Sequence, residues 1–260
     1  MKIYQIDAFT KEVFSGNPAA VCPLEQWISE EIMQKIAAEN NLAETAFYVK
    51  KGEQYEIRWF TPTVEDDLCG HATLATAYVL FNYENHIGNS ITFYSHRSGE
   101  LIVTKEKDLL SLNFPTDTLE DISLKTELIE AFNYKPTAAI KGKTDYMLIF
   151  NSEEEIQNLE PDFDKIARIT ARGIIVTAKG NSVDFVSRFF GPQSGINEDP
   201  VTGSAHTSLI PYWAKELNKT QLSAIQLSER RGYLDCELLG ERVRISGYAK
   251  CYLIGSLFIK

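Results

Sequence analysis

Short runs in which apolar and polar residues alternate recur along most of the chain, and this pattern predicts β-strands with one buried face. The first run is MKIYQIDAF at the N-terminus. Val103–Phe114 and Gly232–Gly247 each contain two such runs around a polar turn, which predicts two hairpins. Between the predicted strands, other segments carry the start and stop signals of helices. The helices are predicted at 70–83, at 203–217, after Ser29 as N-cap, near 124–132 and near 163–170.

The pattern of the first half returns in the second half. RWFTP (Arg58–Pro62) recurs as RFFGP (Arg188–Pro192), 130 positions later. The stretches that follow, EDDLCGHATLATAY and EDPVTGSAHTSLIPYW, both run from acidic residues through glycine into a helix that opens on small residues. Agreement in both residue type and order indicates an internal repeat. We therefore predict an α+β fold of two similar lobes, each with many short strands and one central helix.

The predicted lobes span residues 1–118 and 119–260, because the chain leaves the first lobe in the polar stretch near Pro115–Asp121. The last strand, near 250–260, is a candidate to return to the N-terminal lobe. Two related lobes in one chain usually bind their ligand in the cleft between them, so that is where a site is expected.

Charge and composition narrow the classes of partner. The formal net charge is −10, and an acidic chain without a Lys/Arg run repels phosphate backbones, so no nucleic-acid partner is expected. An anionic small substrate would need local positive potential, which helix N-termini can supply. The four cysteines lack CxxC spacing, and the chain shows neither an export signal nor an apolar run of membrane length. Reduced thiols, no membrane partner and a cytoplasmic location are therefore expected.

Gly70 and Gly203 open the two repeated helices. The first amides of a helix lack internal partners and carry the positive end of the helix dipole, and glycine lets a ligand approach them closely. Either glycine alone would indicate only tight helix–strand packing. Because both follow acidic residues in repeated loops, the pair predicts a site for a small carboxylate.

A racemase that acts on both faces of a carbon needs a base on each face, and a thiol motif at a helix start, such as Cys69 before Gly70, is a candidate for one of them. LCGHAT resembles the first such motif of diaminopimelate epimerase and proline racemase. The matching stretch of the second half, DPVTGSA, contains no cysteine, so the second base is missing. A two-thiol racemase is disfavoured, and Cys69 is interpreted as a small buried residue.

A single base supports a different reaction, in which a proton leaves one carbon and returns to another on the same face. Glu44 in NNLAETAFYV is the candidate base. Its apolar neighbours would destabilise a charged carboxylate, which suits a group that must both accept and release a proton. The alternative is a solvent-facing glutamate at the start of a strand.

Other functions fit parts of the same pattern. A zinc site built from the side chains of Cys69, His71, Asp199 and His206 is disfavoured, although Cys-x-His spacing on a loop can ligate zinc. A hydrolase triad of Ser204, His206 and Asp199 lacks the G-x-S-x-G elbow, and no nucleotide-binding loop is present. An amino-acid epimerase that uses Cys69 and a carboxylate-binding protein without turnover both stay open.

Four motifs in order, FSGNPAAV, NLAETAF, DLCGHATLA and DPVTGSAH, resemble those of the PhzF family, which is named for a phenazine-biosynthesis isomerase. The resemblance covers essentially the whole chain. It implies the diaminopimelate epimerase-like fold, in which two pseudo-symmetric lobes each wrap a β-sheet or barrel round a central helix. It also implies a homodimer, no cofactor and no metal, and a small carboxylate substrate such as trans-2,3-dihydro-3-hydroxyanthranilate. The substrate itself is not fixed by the motifs.

The resemblance also implies roles for individual residues. Glu44 matches the general acid/base, and His71 matches the histidine that assists it. Asp199 matches the aspartate that faces the reaction centre across the cleft, and Ser204 matches the serine that donates a hydrogen bond to the substrate. The implied substrate-binding residues are Asn17, which shapes the cleft, and Gly70, Ala72, Gly203 and Ala205, which supply backbone amides.

Overall fold

The computed structural model describes residues 1–259, without the side chain of Ser194. The chain forms two compact units: Met1–Asn113 with the C-terminal residues from Ser246 onward, and Phe114–Ile245. The boundary therefore lies at 113/114 instead of the predicted 118/119. Backbone hydrogen bonds explain the difference, because the amides of Thr116 and Asp117 donate to carbonyls of residues 241 and 207 in the second unit.

Pro211 helps to fix this boundary. It lies inside a helix and has no N–H, so it cannot donate to the carbonyl of Thr207 four residues earlier. That carbonyl instead accepts the amide of Asp117 at 3.1 Å. The segment after Pro115 is thereby tied to the second unit.

The first unit is built from a mixed sheet and two helices. Its elements up to the boundary are β1 (Lys2–Ala8), β2 (Asn17–Leu24), α1 (Glu30–Asn40), β3 (Glu44–Lys51), β4 (Gln54–Phe60), β5 (Glu65–Asp66), α2 (Gly70–Asn82), β6 (Ser90–Ser95), β7 (Gly99–Glu106) and β8 (Leu109–Pro115). Strand β2 is parallel to β3, and β4 is parallel to β6, whereas β1–β2, β3–β4, β6–β7 and β7–β8 are antiparallel.

The second unit is also built from a mixed sheet and helices. Its elements are β9 (Glu120–Ile122), α3 (Thr126–Ile129), β10 (Ala138–Lys141), β11 (Tyr146–Ile149), α4 (Glu153–Gln157), α5 (Phe163–Ile166), β12 (Ile174–Lys179), β13 (Phe185–Gly191), β14 (Ile196–Glu198), α6 (His206–Leu217), β15 (Gln221–Gln226), β16 (Gly232–Leu239) and β17 (Arg242–Gly247). The order β9-β10-β11-β12-β13-β15-β16 is antiparallel except for the parallel pairs β11–β12 and β13–β15.

The last strand, β18 (Ala249–Ser256), belongs to the first unit. It runs antiparallel to β1 along its whole length, from Lys2↔Ser256 to Ala8↔Ala249. The segment predicted as a returning strand is therefore paired with the N-terminal strand, and position 260 lies outside the described residues.

Helix α2 is buried on nearly every side. Nine of its thirteen residues are buried, and most of them are alanine or threonine, which let strands approach the helix closely from several directions. The hydroxyls of Thr73 and Thr76 donate to the carbonyls four residues earlier, so they are buried with their hydrogen bonds satisfied. The helix contacts β1, β2, β3, β7 and β18, as a central helix should.

The remaining helices follow the sequence less closely. Helix α1 begins after Ser29, whose hydroxyl accepts from the amide of Ile32, as predicted. Helices α3 and α5 are single turns within longer predicted segments, and α4 was not predicted. Within residues 1–259, no helix is long and apolar enough to cross a membrane.

Candidate functional site

Glu44 is buried at the first position of β3. The left-handed conformation of Asn41 ends α1, and the side-chain amide of Asn40 donates to the hydroxyl of Thr45 at 3.0 Å, which fixes the turn between helix and strand. Pairing of Glu44 with Ala19 of β2 then sets its register. The alternative of a solvent-facing glutamate is therefore wrong.

His71 and Glu44 are in contact at the start of α2. The Nε2 atom of His71 lies 3.1 Å from Oε2 of Glu44, and both side chains are buried. Within residues 1–259, Glu44 Oε2 has no hydrogen-bond partner, although the ring of His71 is in contact with it. Glu44 Oε2 thus lies in a buried contact with a ring nitrogen and can still accept a hydrogen bond or a proton.

Asn17 and Cys69 contact the other nitrogen of the same ring. The amide nitrogen of Asn17 lies 3.3 Å from Nδ1 of His71, and Sγ of Cys69 lies 3.4 Å from it. Both side chains are buried. Four of the residues singled out in the first half of the sequence, Asn17, Glu44, Cys69 and His71, therefore form one buried cluster.

This cluster is also the one place in residues 1–259 where three metal-ligating side chains converge. Candidate ligand atoms of Glu44, Cys69 and His71 all lie within 4.8 Å of one another. However, Cys69 contacts Nδ1 of the ring, whereas Glu44 contacts Nε2. Because an ion binds one nitrogen of an imidazole, these close contacts do not surround a single point. The arrangement favours hydrogen bonding and proton transfer.

Asp199 is held in the second unit by groups that the sequence did not single out. Its carboxylate accepts a hydrogen bond from the hydroxyl of Thr202 at 2.6 Å. The buried side chain of Gln226 donates to the carbonyl of Asp199 at 2.7 Å and accepts from the amide of Thr202 at 2.8 Å. Gln226 is the last residue of β15, and no spacing in the strand sequence QLSAIQ distinguishes it.

Ser204 also has a partner that was missed. Nη1 of Arg172 donates to the hydroxyl oxygen of Ser204 at 2.9 Å, while Nε and Nη2 of Arg172 donate to the two carboxylate oxygens of Asp145 at 2.9 and 2.5 Å. Because a hydroxyl can accept and donate at once, Ser204 keeps its own proton for another acceptor. Neither Arg172 nor Asp145 lies in a sequence motif, so only the fold reveals them.

The two helix starts differ in detail. Helix α2 begins at Gly70 as predicted, so the amides of Gly70 and Ala72 lie in its first turn. Helix α6 begins at His206 and not at Gly203. Gly203 and Ala205 lie in the turn before it, where the carbonyl of Gly203 accepts the amide of His206 at 3.1 Å. Their role as carboxylate-binding amides stays a prediction.

His206 does not take part in a catalytic triad. Its Nδ1 donates to the carbonyl of Thr202 at 2.9 Å, and the ring is completely buried, which lowers the pKa of His206 to about 4. The serine and aspartate of the hydrolase alternative are bonded to Arg172 and Thr202 instead. His206 is not one of the three metal-ligating side chains that converge in residues 1–259, which are those of Glu44, Cys69 and His71.

Comparisons with known proteins identify the family to which this chain is similar. The profile of the PhzC-PhzF family, described as phenazine biosynthesis-like proteins, matches residues 6–254. An uncharacterized isomerase of Pseudomonas aeruginosa is 49% identical over 259 residues, which cover 100% of this chain and 99% of that protein.

Solved structures give the same result. A PhzF-family protein of Enterococcus faecalis is 50% identical, with a TM-score of 0.97 over 99% of both chains. A phenazine biosynthesis PhzC/PhzF protein of Clostridium difficile is 44% identical, with a TM-score of 0.93 over 100% of both chains. The predicted α+β, diaminopimelate epimerase-like fold is confirmed by these likenesses.

Proposed function

The chain belongs to the family of phenazine biosynthesis-like proteins and is an isomerase, and we propose that it moves a proton between two carbons of a small carboxylate, with Glu44 as its single general acid/base. The reaction is redox-neutral: a C–H bond breaks at one end of an allylic system, a C–H bond forms at the other end, and the double bond shifts by one position. It therefore needs no oxidant, reductant or metal. The proposal is for a cofactor-independent enzyme.

The observation that carries the proposal is the state of Glu44. A buried carboxylate oxygen without a hydrogen bond is costly, and folded proteins rarely keep one unless it serves a purpose. A general base that removes a proton from carbon needs an oxygen lone pair that no hydrogen bond occupies. The C–H group of the substrate is too weak a donor to displace an existing hydrogen bond from that oxygen. His71, at 3.1 Å, is placed to donate to negative charge that develops on the substrate.

For the second unit, we assign Ser204 to the substrate carboxylate. Its oxygen accepts from Arg172, so its proton is left to donate, and the amides of Gly203 and Ala205 lie in the adjoining turn. Thr202 and Gln226 hold Asp199 by hydrogen bonds. We assign Asp199 as the aspartate that faces the reaction centre. These roles are supported by local geometry within the unit.

The substrate class is a small cyclic carboxylate, and trans-2,3-dihydro-3-hydroxyanthranilate is the first compound to test. Homodimer formation and the cytoplasmic location stay predictions. A carboxylate-binding protein without turnover is disfavoured, because a binder gains nothing from a buried carboxylate oxygen that lacks a hydrogen bond. An epimerase that uses Cys69 is the second candidate, and the contact between Cys69 Sγ and His71 Nδ1 at 3.4 Å is the observation in its favour.

The test is proton exchange in deuterated water, followed by NMR. Wild-type protein is incubated with a panel of small cyclic and amino-substituted carboxylates that includes the dihydro-hydroxyanthranilate. We expect deuterium uptake or rearrangement of at least one compound, and a loss of about 10²–10⁴-fold in Glu44→Gln, because one general acid/base typically contributes that much.

Two further variants separate the alternatives. Glu65→Gln removes another largely buried carboxylate, which is bonded to Arg58, and should leave the exchange rate within a few-fold of wild type. Exchange that survives Glu44→Gln but disappears in Cys69→Ala would favour the thiol-based epimerase. Binding of a panel compound without any exchange would favour the binding protein.

A further inference from the structure

The ring of His71 has donors on its Nδ1 side and an acceptor on its Nε2 side. The amide nitrogen of Asn17 and the thiol of Cys69 lie 3.3 and 3.4 Å from Nδ1, and Oε2 of Glu44 lies 3.1 Å from Nε2. At most 7% of each of these four residues is exposed, so water does not screen these contacts.

A neutral imidazole has one nitrogen that donates and one that accepts. The amide nitrogen of Asn17 can only donate, and a neutral thiol has a proton to donate, so Nδ1 of His71 must accept. The ring proton is therefore on Nε2, where it faces the Glu44 carboxylate.

The opposite tautomer, with the proton on Nδ1, is unfavourable at both ring nitrogens. If the amide of Asn17 were turned so that its oxygen faced Nδ1, the proton would have to move to Nδ1. Nε2 would then present a lone pair to the carboxylate of Glu44 at 3.1 Å, where two electron-rich atoms repel each other. The contacts at the two nitrogens thus favour the same tautomer independently.

We propose that Asn17 is a positioning residue that holds His71 as the Nε2–H tautomer, with Cys69 as a second and weaker hydrogen-bond donor to Nδ1. The catalytic use of this tautomer rests on the proposed function. The family motifs themselves do not assign a tautomer to His71. A fixed Nε2–H lets His71 donate a hydrogen bond to charge that develops on the substrate while Glu44 carries the moving proton. Cys69 acts as a hydrogen-bond donor here and not as a nucleophile.

The direct test is ¹⁵N NMR of the ring nitrogens in substrate-free protein labelled at histidine. The chain has four histidines, and the His71 signals are assigned as those lost in His71→Asn. In wild type at neutral pH, we expect an unprotonated Nδ1 and a protonated Nε2. This measurement does not depend on any activity, so it can fail or succeed separately from the proposed isomerase reaction.

Asn17→Asp is the decisive variant, because a carboxylate of the same shape can only accept. It should move the proton to Nδ1 or charge the ring, and the exchange rate should fall by about 10²-fold, as when one preorganised donor is lost. Cys69→Ala removes the weaker donor and should keep the wild-type tautomer, with a loss of at most about tenfold.

Two results would overturn the proposal. One is a protonated Nδ1 on His71 in the wild type, which can be read even if a variant fails to fold. The other is an unchanged tautomer in Asn17→Asp that has a wild-type urea midpoint, because residues that only fill space would leave the ring signals as they are.

Discussion

The repeated segments 58–83 and 188–217 share a scaffold and differ in chemistry. Arg58 and Arg188 each donate from Nε to a downstream glutamate, at 2.6 Å to Glu65 and at 2.7 Å to Glu198. Each guanidinium also lies over the phenylalanine ring two positions later, 5.2 and 4.9 Å from the ring centre. The repeat seen in the sequence is therefore preserved down to individual ion pairs.

The histidines at the two helix starts have opposite surroundings. Nδ1 of His71 faces two donors, so its proton lies on Nε2 beside Glu44. Nδ1 of His206 faces the carbonyl of Thr202, which only accepts, so its proton lies on Nδ1. Its Nε2 is buried without a hydrogen bond among residues 1–259, and the ring packs against Phe185.

The comparison teaches which feature makes a histidine at a helix start useful for chemistry. Both side chains are buried, so burial does not decide the role. The partner of Nδ1 decides it. A donor at Nδ1 leaves a proton on Nε2 next to an acidic group, whereas a carbonyl at Nδ1 leaves a bare Nε2 in an apolar surrounding.

The same substitution at both positions should have opposite effects. In His71→Asn, the side chain no longer reaches the Nε2 position, and proton exchange should fall by about 10²–10⁴-fold at an unchanged urea midpoint. In His206→Asn, the amide can still donate to the carbonyl of Thr202, so exchange should stay within a few-fold of wild type. Equal losses of activity in the two variants would mean that the histidines do not have separate roles.

The stability of the protein should respond to acid through His206. Its pKa falls from the ordinary 6.5 to about 4 because the ring is buried away from water, which makes its charged form unfavourable. The unfolded chain therefore binds a proton between pH 6.5 and 4 that the folded chain does not. Stability is retained above pH 6.5 and is lost as the pH falls toward 4, by about 3 kcal/mol in total.

Urea unfolding of wild type and His206→Asn between pH 7.5 and 4.5 measures this loss. The variant lacks the titrating ring, so the stability of wild type relative to the variant should decline steadily below pH 6.5. A difference that stays constant with pH would show that other groups, and not His206, cause the acid sensitivity.

Much of the scaffold could be predicted because it depends on local patterns. Alternation marked the strands, Ser29 marked the start of α1, and the paired loops marked the helix starts. The start of α6 was placed at Gly203, three residues too early, because glycine and small residues suit a turn as well as a first helical turn. Small differences in backbone hydrogen bonding decide between them.

The candidate site was predictable only where its residues lie in motifs. Asn17, Glu44 and His71 come together, but burial of Glu44 follows from the register of β3 against β2, which no local pattern encodes. Arg172, Asp145 and Gln226 were missed for the same reason. Each reaches its partner through contacts that are more than twenty positions apart in sequence, and its own neighbours carry no special spacing.

The ion pairs that the repeat shares should differ in strength. Glu65 is also bonded to Arg97 at 2.8 Å, so it keeps a cation when Arg58 is removed. Arg188 supports Glu198 and also donates to the carbonyls of Ile156 and Leu159 at 3.2 and 2.8 Å. Removing Arg188 leaves a half-buried carboxylate without this partner and two carbonyls without these donors.

We therefore expect Arg188→Met to lower the free energy of unfolding by about 3 kcal/mol and Arg58→Met by about 1 kcal/mol, as measured by urea unfolding at pH 7. The double variant Arg188→Met, Glu198→Met is the control, since it removes the stranded charge and should recover part of the loss. If Arg58→Met costs as much as Arg188→Met, Arg97 does not hold Glu65 on its own. The ion pair would then contribute equally to the free energy of unfolding in the two halves, as it already has a similar geometry in both.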